Sequence, residues 1–215
     1  MKNYIIDFDS TFIKVESLDE LLEVSEPGNK LKIDEIKKIT NEGMDGKISF
    51  SESLFRRINL LEATKDNIDK TVQKLRDKVS DSFVNNTDFL KENKNNIYIV
   101  SSGFHEIIDP IVLEYDILKK NIYANRFIFD KSDKIIGYDK SNPLSTSKGK
   151  VKILKNLELK GSTHVIGDGF TDFEIKKEGY ADYFYLFTEN IKRKSLIKNA
   201  DFLLKSFDQF IHIVK

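Results

Sequence analysis

The 215-residue chain carries 35 Lys and Arg against 35 Asp and Glu, with 40% hydrophobic and 33% charged residues. Zero net charge gives no pull toward nucleic acid or an acidic membrane, and the lack of cysteine excludes a disulfide framework and thiolate chemistry. No apolar run approaches the ~20 residues of a membrane span, and Asp7 and Asp9 interrupt the first apolar stretch, so the expectation is a cytoplasmic protein without a secretory signal.

Met1 to Ile6 reads as a short apolar strand, followed at once by Asp7-Phe8-Asp9-Ser10-Thr11. Carboxylates at i and i+2 point the same way from an extended chain. At about 4 Å they repel by roughly 4 kcal/mol in an effective dielectric near 20, so they call for a cation or a shared proton. Ser17-Leu18-Asp19-Glu20 has a capping-box pattern that predicts a helix through about Val24. A Pro-Gly turn follows at Ser25 to Asn29, then a short helix with Ile33, Ile36 and Ile39, and a break from Gly43 to Gly46. Ser49 to Glu52 opens another capped helix with Leu54, Ile58 and Leu61 on one face, and Ile68, Val72, Leu75 and Val79 form an amphipathic stripe. Residues 15–80 are thus predicted nearly all helical.

From Ile97 strands and helices alternate. Ile97 to Val100 is a buried strand ending in Ser101-Ser102-Gly103, with a helix after it. Phe127 to Phe129 and Lys134 to Tyr138 read as a hairpin, and Ser147-Lys148-Gly149-Lys150 precedes a helix with Val151, Leu154 and Leu157. Thr163 to Ile166 is a strand ending at Gly167-Asp168-Gly169, followed by a helix, a strand at Tyr183 to Leu186, a short helix near Ile191–Ile197 and a last one around Phe207–Ile213. This order predicts an α/β fold with a central parallel sheet and helices on both faces, with ligands bound outside the carboxyl ends of the strands. His105, His164 and His212 are scattered without metal-ligand spacing, and His105 is expected to be satisfied at a helix start.

Four pieces occur in order: Asp7-Phe8-Asp9-Ser10-Thr11, Ser101-Ser102-Gly103, Lys148 and Gly167-Asp168-Gly169-Phe170-Thr171-Asp172. Together they resemble the haloacid dehalogenase superfamily of phosphotransferases over nearly the whole chain. The resemblance implies a Rossmann-like core from residues 1–14 and 81–215 with a small β-hairpin, and an inserted helical cap at 15–80 that selects the substrate. It implies Asp7 as nucleophile, forming an aspartyl phosphate, and Asp9 as general acid and base. Magnesium, the implied cofactor, would be held by the Asp7 carboxylate, the Asp9 backbone carbonyl and Asp168. Lys148 would hold phosphate oxygens, oriented by Asp172, and Ser101, Ser102 and Gly103 would bind the same oxygens. Ser101 and Thr171 each have an alternative reading as helix N-caps.

The segment from Glu42 to Leu61 further resembles the cap of the phosphoserine phosphatase family, with Glu16 just past the Asp7 to Thr11 turn at the cap entrance. By that likeness Glu16 meets a substrate ammonium, Arg57 clamps its carboxylate, Met44 and Phe50 line the lid and Thr171 touches substrate. The sequence departs from that family with Ser102 for a usual glycine and Thr171 for the asparagine common in microbial members. The implied reaction is hydrolysis of O-phospho-L-serine, the last step of serine biosynthesis. Alternatives are hydrolysis or transfer of phosphate on another small phosphorylated amine or amino acid, and a non-catalytic phosphometabolite binder. The expected partner is a small phosphate monoester, with no nucleic acid or membrane, and the protein is expected to be a monomer or homodimer.

Overall fold

The computed structural model describes residues 1–44 and 47–215, with Met44 described by its backbone alone. The chain opens with β1 (Lys2–Ile6), followed by α1 (Ser17–Ser25), α2 (Lys30–Met44), α3 (Phe50–Leu60), α4 (Lys65–Arg76) and two short helices, α5 (Asp81–Val84) and α6 (Thr87–Glu92). Then come β2 (Ile97–Phe104), α7 (His105–Val112), β3 (Ile122–Asn125), β4 (Phe127–Phe129), β5 (Ile135–Tyr138) and α8 (Gly149–Leu157). The chain finishes with β6 (Ser162–Gly167), α9 (Phe170–Lys177), β7 (Tyr183–Phe187), β8 (Phe202–Leu204) and α10 (Phe207–Val214).

Period-two alternation of large apolar residues builds a sheet buried on both faces. Tyr4, Ile6, Ile97, Ile99, Ile166, Tyr185 and Phe187 face one core, shared with α4, α7 and α10. Their neighbours Ile5, Val100, Val165, Phe184 and Leu186 face the other, under α8 and α9. The six parallel strands run in the order β3-β2-β1-β6-β7-β8, and β4 and β5 pair antiparallel as a separate hairpin. Strand order reverses around β1, whose Ile6 lies level with Ile99 of β2 and Ile166 of β6. The carboxyl ends of these three strands therefore share one edge, which is where a ligand site belongs in such a sheet.

Helices α1 to α4 occupy the interval between β1 and β2; α1 packs on α4, α2 on α3, and α4 on α7. The second predicted helix is longer than its isoleucines indicated, since Gly43 stays helical where its bare Cα lies close to Ser53. Ser49 caps α3 as expected, its Oγ accepting from the Glu52 N–H at 3.2 Å. The Ser17 box does not form: Ser17 is the first helical residue, and Glu16 holds the cap position without a side-chain hydrogen bond there. The expected helix near Ile191–Ile197 reduces to one tight turn, Lys194–Leu196. Edge strands β3 and β8 and the short helices α5 and α6 escaped the sequence pattern, because segments of three to six residues carry too few periodic positions to read. Among the described residues no helix is long and apolar enough to cross a membrane.

Aromatic packing ties the C-terminus to the crossover. Phe83 stacks on Phe207 with ring centroids 4.2 Å apart and touches Phe12 and Phe187, all fully buried. Phe83→Ala is expected to lower unfolding free energy by about 3–5 kcal/mol, measured by urea denaturation; a loss under about 1 kcal/mol would mean the site collapses without a cavity.

Candidate active site

The β1 strand ends at Ile6, and the Asp7 N–H continues its ladder by donating to the Ile166 carbonyl at 3.0 Å. The chain then makes one wide turn, Phe8–Phe12, closed by Phe12 N–H to Asp7 O at 3.3 Å and Ile13 N–H to Phe8 O at 3.0 Å. Ser10 takes a left-handed conformation in it, with φ of 54°, a cost a non-glycine residue accepts where its surroundings hold it. The turn parts the two acids. Asp7 Oδ1 accepts from the Phe8 N–H at 2.7 Å, while Asp9 Oδ1 accepts from the Ser17 N–H at the start of α1 at 2.8 Å.

At the end of β6, Gly167 lets α9 approach closely: a Cβ there would lie 2.2 Å from the Asp172 carboxyl carbon. Asp172 Oδ2 accepts from the Gly169 N–H at 3.1 Å, so Gly169, and not Thr171, is the cap of α9. Carboxylate oxygens of Asp7, Asp168 and Asp172 then gather within 4.8 Å of one another, all three residues buried. Burial pushes the Asp168 carboxyl up to about 7 against the pull of Arg193, and burial with the Asp7 charge pushes Asp172 up to about 8. Burial, then the Glu16 charge, raises Asp9 well above the usual carboxylate range. Among the described residues the donors that meet here are hard carboxylate oxygens, so they fit a hard divalent cation.

The lysine of the cluster is Lys150, which corrects the assignment of Lys148. Lys150 Nζ donates to Asp7 Oδ1 and to Asp172 Oδ1, each at 2.7 Å, from a side chain 3% exposed. Burial works against its ammonium, but Asp172 and Asp7 more than offset that and raise its pKa. Lys148 instead caps α8 in a left-handed conformation, φ 57°, and its Nζ reaches outward to Glu178 at 2.7 Å. Lys148 lies outside the helix as its cap and Lys150 within its first turn, and the two side chains leave toward different partners. Gly149 between them is tightly seated, since a Cβ there would lie 2.6 Å from the Pro143 carbonyl.

A cavity of about 230 Å³ opens over the cluster, bounded by Asp7, Asp9, Lys150, Ser101, Ser102 and Thr171, with Phe50 on the α3 side. Lys148 contributes to its rim. Ser101 Oγ is buried and accepts from the Gly103 N–H at 3.0 Å; the cap of α7 is Phe104, so Ser101 is no N-cap. Ser102 passes its carbonyl to Asn125 Nδ2 at 2.9 Å. Glu16 accepts from Ser10 Oγ at 2.7 Å, and burial raises its carboxyl against that bond and the nearby Arg57 and Arg193 charges. Arg57 is buried, donates from Nη1 to Thr40 Oγ1 at 3.4 Å, and leaves Nε without a partner among the described residues. Its charge also acts on Asp19. The side chain of Met44 lies outside the described residues. His105 is satisfied by Asp109 at 2.7 Å, as expected of a helix start.

Three residues at this edge had no sequence signal. Arg193 Nε donates to Asp168 Oδ2 at 2.7 Å, Asn190 ties the first turn through the Ser10 carbonyl at 3.2 Å, and Asp19 sits beside Arg57. Two of them come from an irregular loop after β7, where no motif spacing exists to find them.

The sequence profile of haloacid dehalogenase-like hydrolases matches residues 1–175. The chloroplastic phosphoserine phosphatase of Arabidopsis thaliana is 30% identical over 96% of this chain and 69% of its own. The chain belongs to the phosphoserine phosphatase family of haloacid dehalogenase-like hydrolases. The phosphoserine phosphatase of Methanocaldococcus jannaschii is 34% identical over 82% of each chain. The crystal structure of a phosphoserine phosphohydrolase-like protein from Francisella tularensis superposes with a TM-score of 0.90 at 33% identity, covering 100% of both chains. A member of this family is a phosphatase, and the carboxylates and buried lysine around the cavity are the groups such an enzyme needs.

Lys150→Met is expected to cost about 3–5 kcal/mol of stability at neutral pH, since it leaves two buried carboxylates facing each other. Lys148→Met should leave the urea midpoint unchanged. Equal midpoints for the two variants would remove Lys150 from the cluster.

Proposed function

We propose that the protein is a magnesium-dependent phosphomonoesterase that hydrolyses O-phospho-L-serine to L-serine and phosphate. The observation that carries this reading is the convergence of Asp7, Asp168, Asp172 and Lys150, with Asp7 and Lys150 lining a cavity. Asp7 attacks phosphorus and forms an aspartyl phosphate. Lys150 holds the Asp7 oxygen in place, and the third proton of its ammonium serves a phosphate oxygen. Asp9, kept protonated by burial and by Glu16, donates to the leaving oxygen and then takes a proton from the hydrolytic water. Ser101 and Ser102 donate to the phosphate oxygens, and the Gly103 N–H, which donates to Ser101 Oγ, holds that hydroxyl in place. Magnesium, held by Asp7, the Asp9 backbone carbonyl and Asp168, supplies the positive charge that brings a dianion among acids.

Residues 15–80 serve as a cap over a core of residues 1–14 and 81–215, a division supported by Ile48, Ser49 and Phe50 bordering the cavity opposite Thr171. Glu16 receives the substrate ammonium and Arg57 its carboxylate, with Met44, Phe50 and Thr171 around them. The unpartnered, buried Nε of Arg57 supports a carboxylate ligand, because a buried donor left unpaired costs free energy. The engagement of Arg57 with Thr40 and Asp19 favours a second reading, in which the substrate is a small phosphorylated amine without a carboxylate. With phosphoserine as substrate the reaction is the last step of serine biosynthesis, in the cytoplasm.

Phosphate release from phosphoserine should exceed that from phosphoethanolamine by about ten- to a hundredfold in kcat/KM, the worth of charged hydrogen bonds of about 1.5–3 kcal/mol. Equal turnover would reject the Arg57 clamp and select the second reading. Asp7→Asn should abolish turnover, and retained activity would reject the covalent step. Chelation should stop the reaction and added magnesium restart it; activity that survives chelation would reject the metal.

A further inference from the structure

Asp168 has one oxygen, Oδ2, engaged by the Arg193 guanidinium, whose side chain is 8% exposed. Arg193 stands beyond residues 1–175, the part matched by the family profile. Its loop is built into the site from below. Asn190 Nδ2 donates to Ser80 Oγ at 2.7 Å and to the Ser10 carbonyl at 3.2 Å, and Glu189 accepts from the Ser82 N–H at 3.3 Å. The same guanidinium acts electrostatically on Glu16, so one side chain reaches both the acid cluster and the cap entrance.

We infer that Arg193 is a positioning residue for the metal site: it pins Asp168 through Oδ2 so that the carboxylate is presented to a divalent cation in one orientation. This rests on the metal reading given above. A positive charge beside a cation site could instead compete with the ion. The geometry argues for orientation: Arg193 Nε bonds one oxygen of Asp168, Oδ2, at 2.7 Å, and an Asp168 carboxylate oxygen still lies within 4.8 Å of those of Asp7 and Asp172. Outer-shell partners that fix a ligating carboxylate are worth about ten- to a hundredfold in metal affinity.

The test is magnesium titration of the substrate-free protein by calorimetry, paired with the magnesium-dependent rise in melting temperature. R193M should bind magnesium about ten- to a hundredfold more weakly than wild type, and R193K should recover part of the loss. R56M, which removes an exposed arginine of α3, should bind as wild type does. Wild-type affinity in R193M would overturn the inference, and tighter binding would show that Arg193 competes with the ion and overturn it equally. Should R193M fail to fold, R193Q reads the same loss, and wild-type affinity there would overturn the inference. A wild-type protein that takes up no magnesium would overturn the metal reading and this inference together.

Discussion

Lys150 between Asp7 and Asp172 is the contact on which the site depends. Three elements meet there: the end of β1, the start of α8 and the start of α9. Each carboxylate alone would be costly to bury, and the ammonium makes their joint burial tolerable through two short charged hydrogen bonds. Such an arrangement is weak evidence for stability relative to an apolar core. Its presence at the carboxyl edge of a parallel sheet is better understood as a device that holds Asp7 in one orientation before a reaction.

The acids around Lys150 are kept apart by the backbone as much as by cations. The wide turn after β1 sends Asp7 toward the lysine and Asp9 toward the start of α1. Two carboxylates two residues apart therefore acquire different surroundings, one paired with an ammonium and one bonded to a backbone N–H and pressed by Glu16. Divergent environments for neighbouring acids are how one site assigns one of them to attack and the other to proton transfer. The left-handed Ser10 is part of this division, since its hydroxyl goes to Glu16 and its carbonyl to Asn190.

The helical segment between β1 and β2 is coupled to that chemistry through α1. Its first N–H holds Asp9, and its cap residue is Glu16. The position of α1 therefore sets the surroundings of Asp9. Arg57 from α3 and Arg193 from the loop after β7 both act on Glu16, which links the segment between β1 and β2 to the sheet edge by charge.

Most of the architecture was legible in the sequence because strongly periodic segments leave one solution. The strands at β1, β2, β6 and β7, the hairpin, the amphipathic α4 and the acid motifs at strand ends all follow from residue spacing alone. Short pieces such as β3 and β8 were not legible, because only their neighbours in the sheet make them strands. The choice between Lys148 and Lys150 was likewise invisible, since both flank Gly149 and both suit the start of a helix. Only the folded start of α8, with Lys148 left-handed at the cap and Gly149 against the Pro143 carbonyl, turns Lys150 to the acids and Lys148 to Glu178. Arg193 reaches Asp168 only because the sheet brings the loop after β7 beside the end of β6, a proximity in space that has no counterpart along the chain.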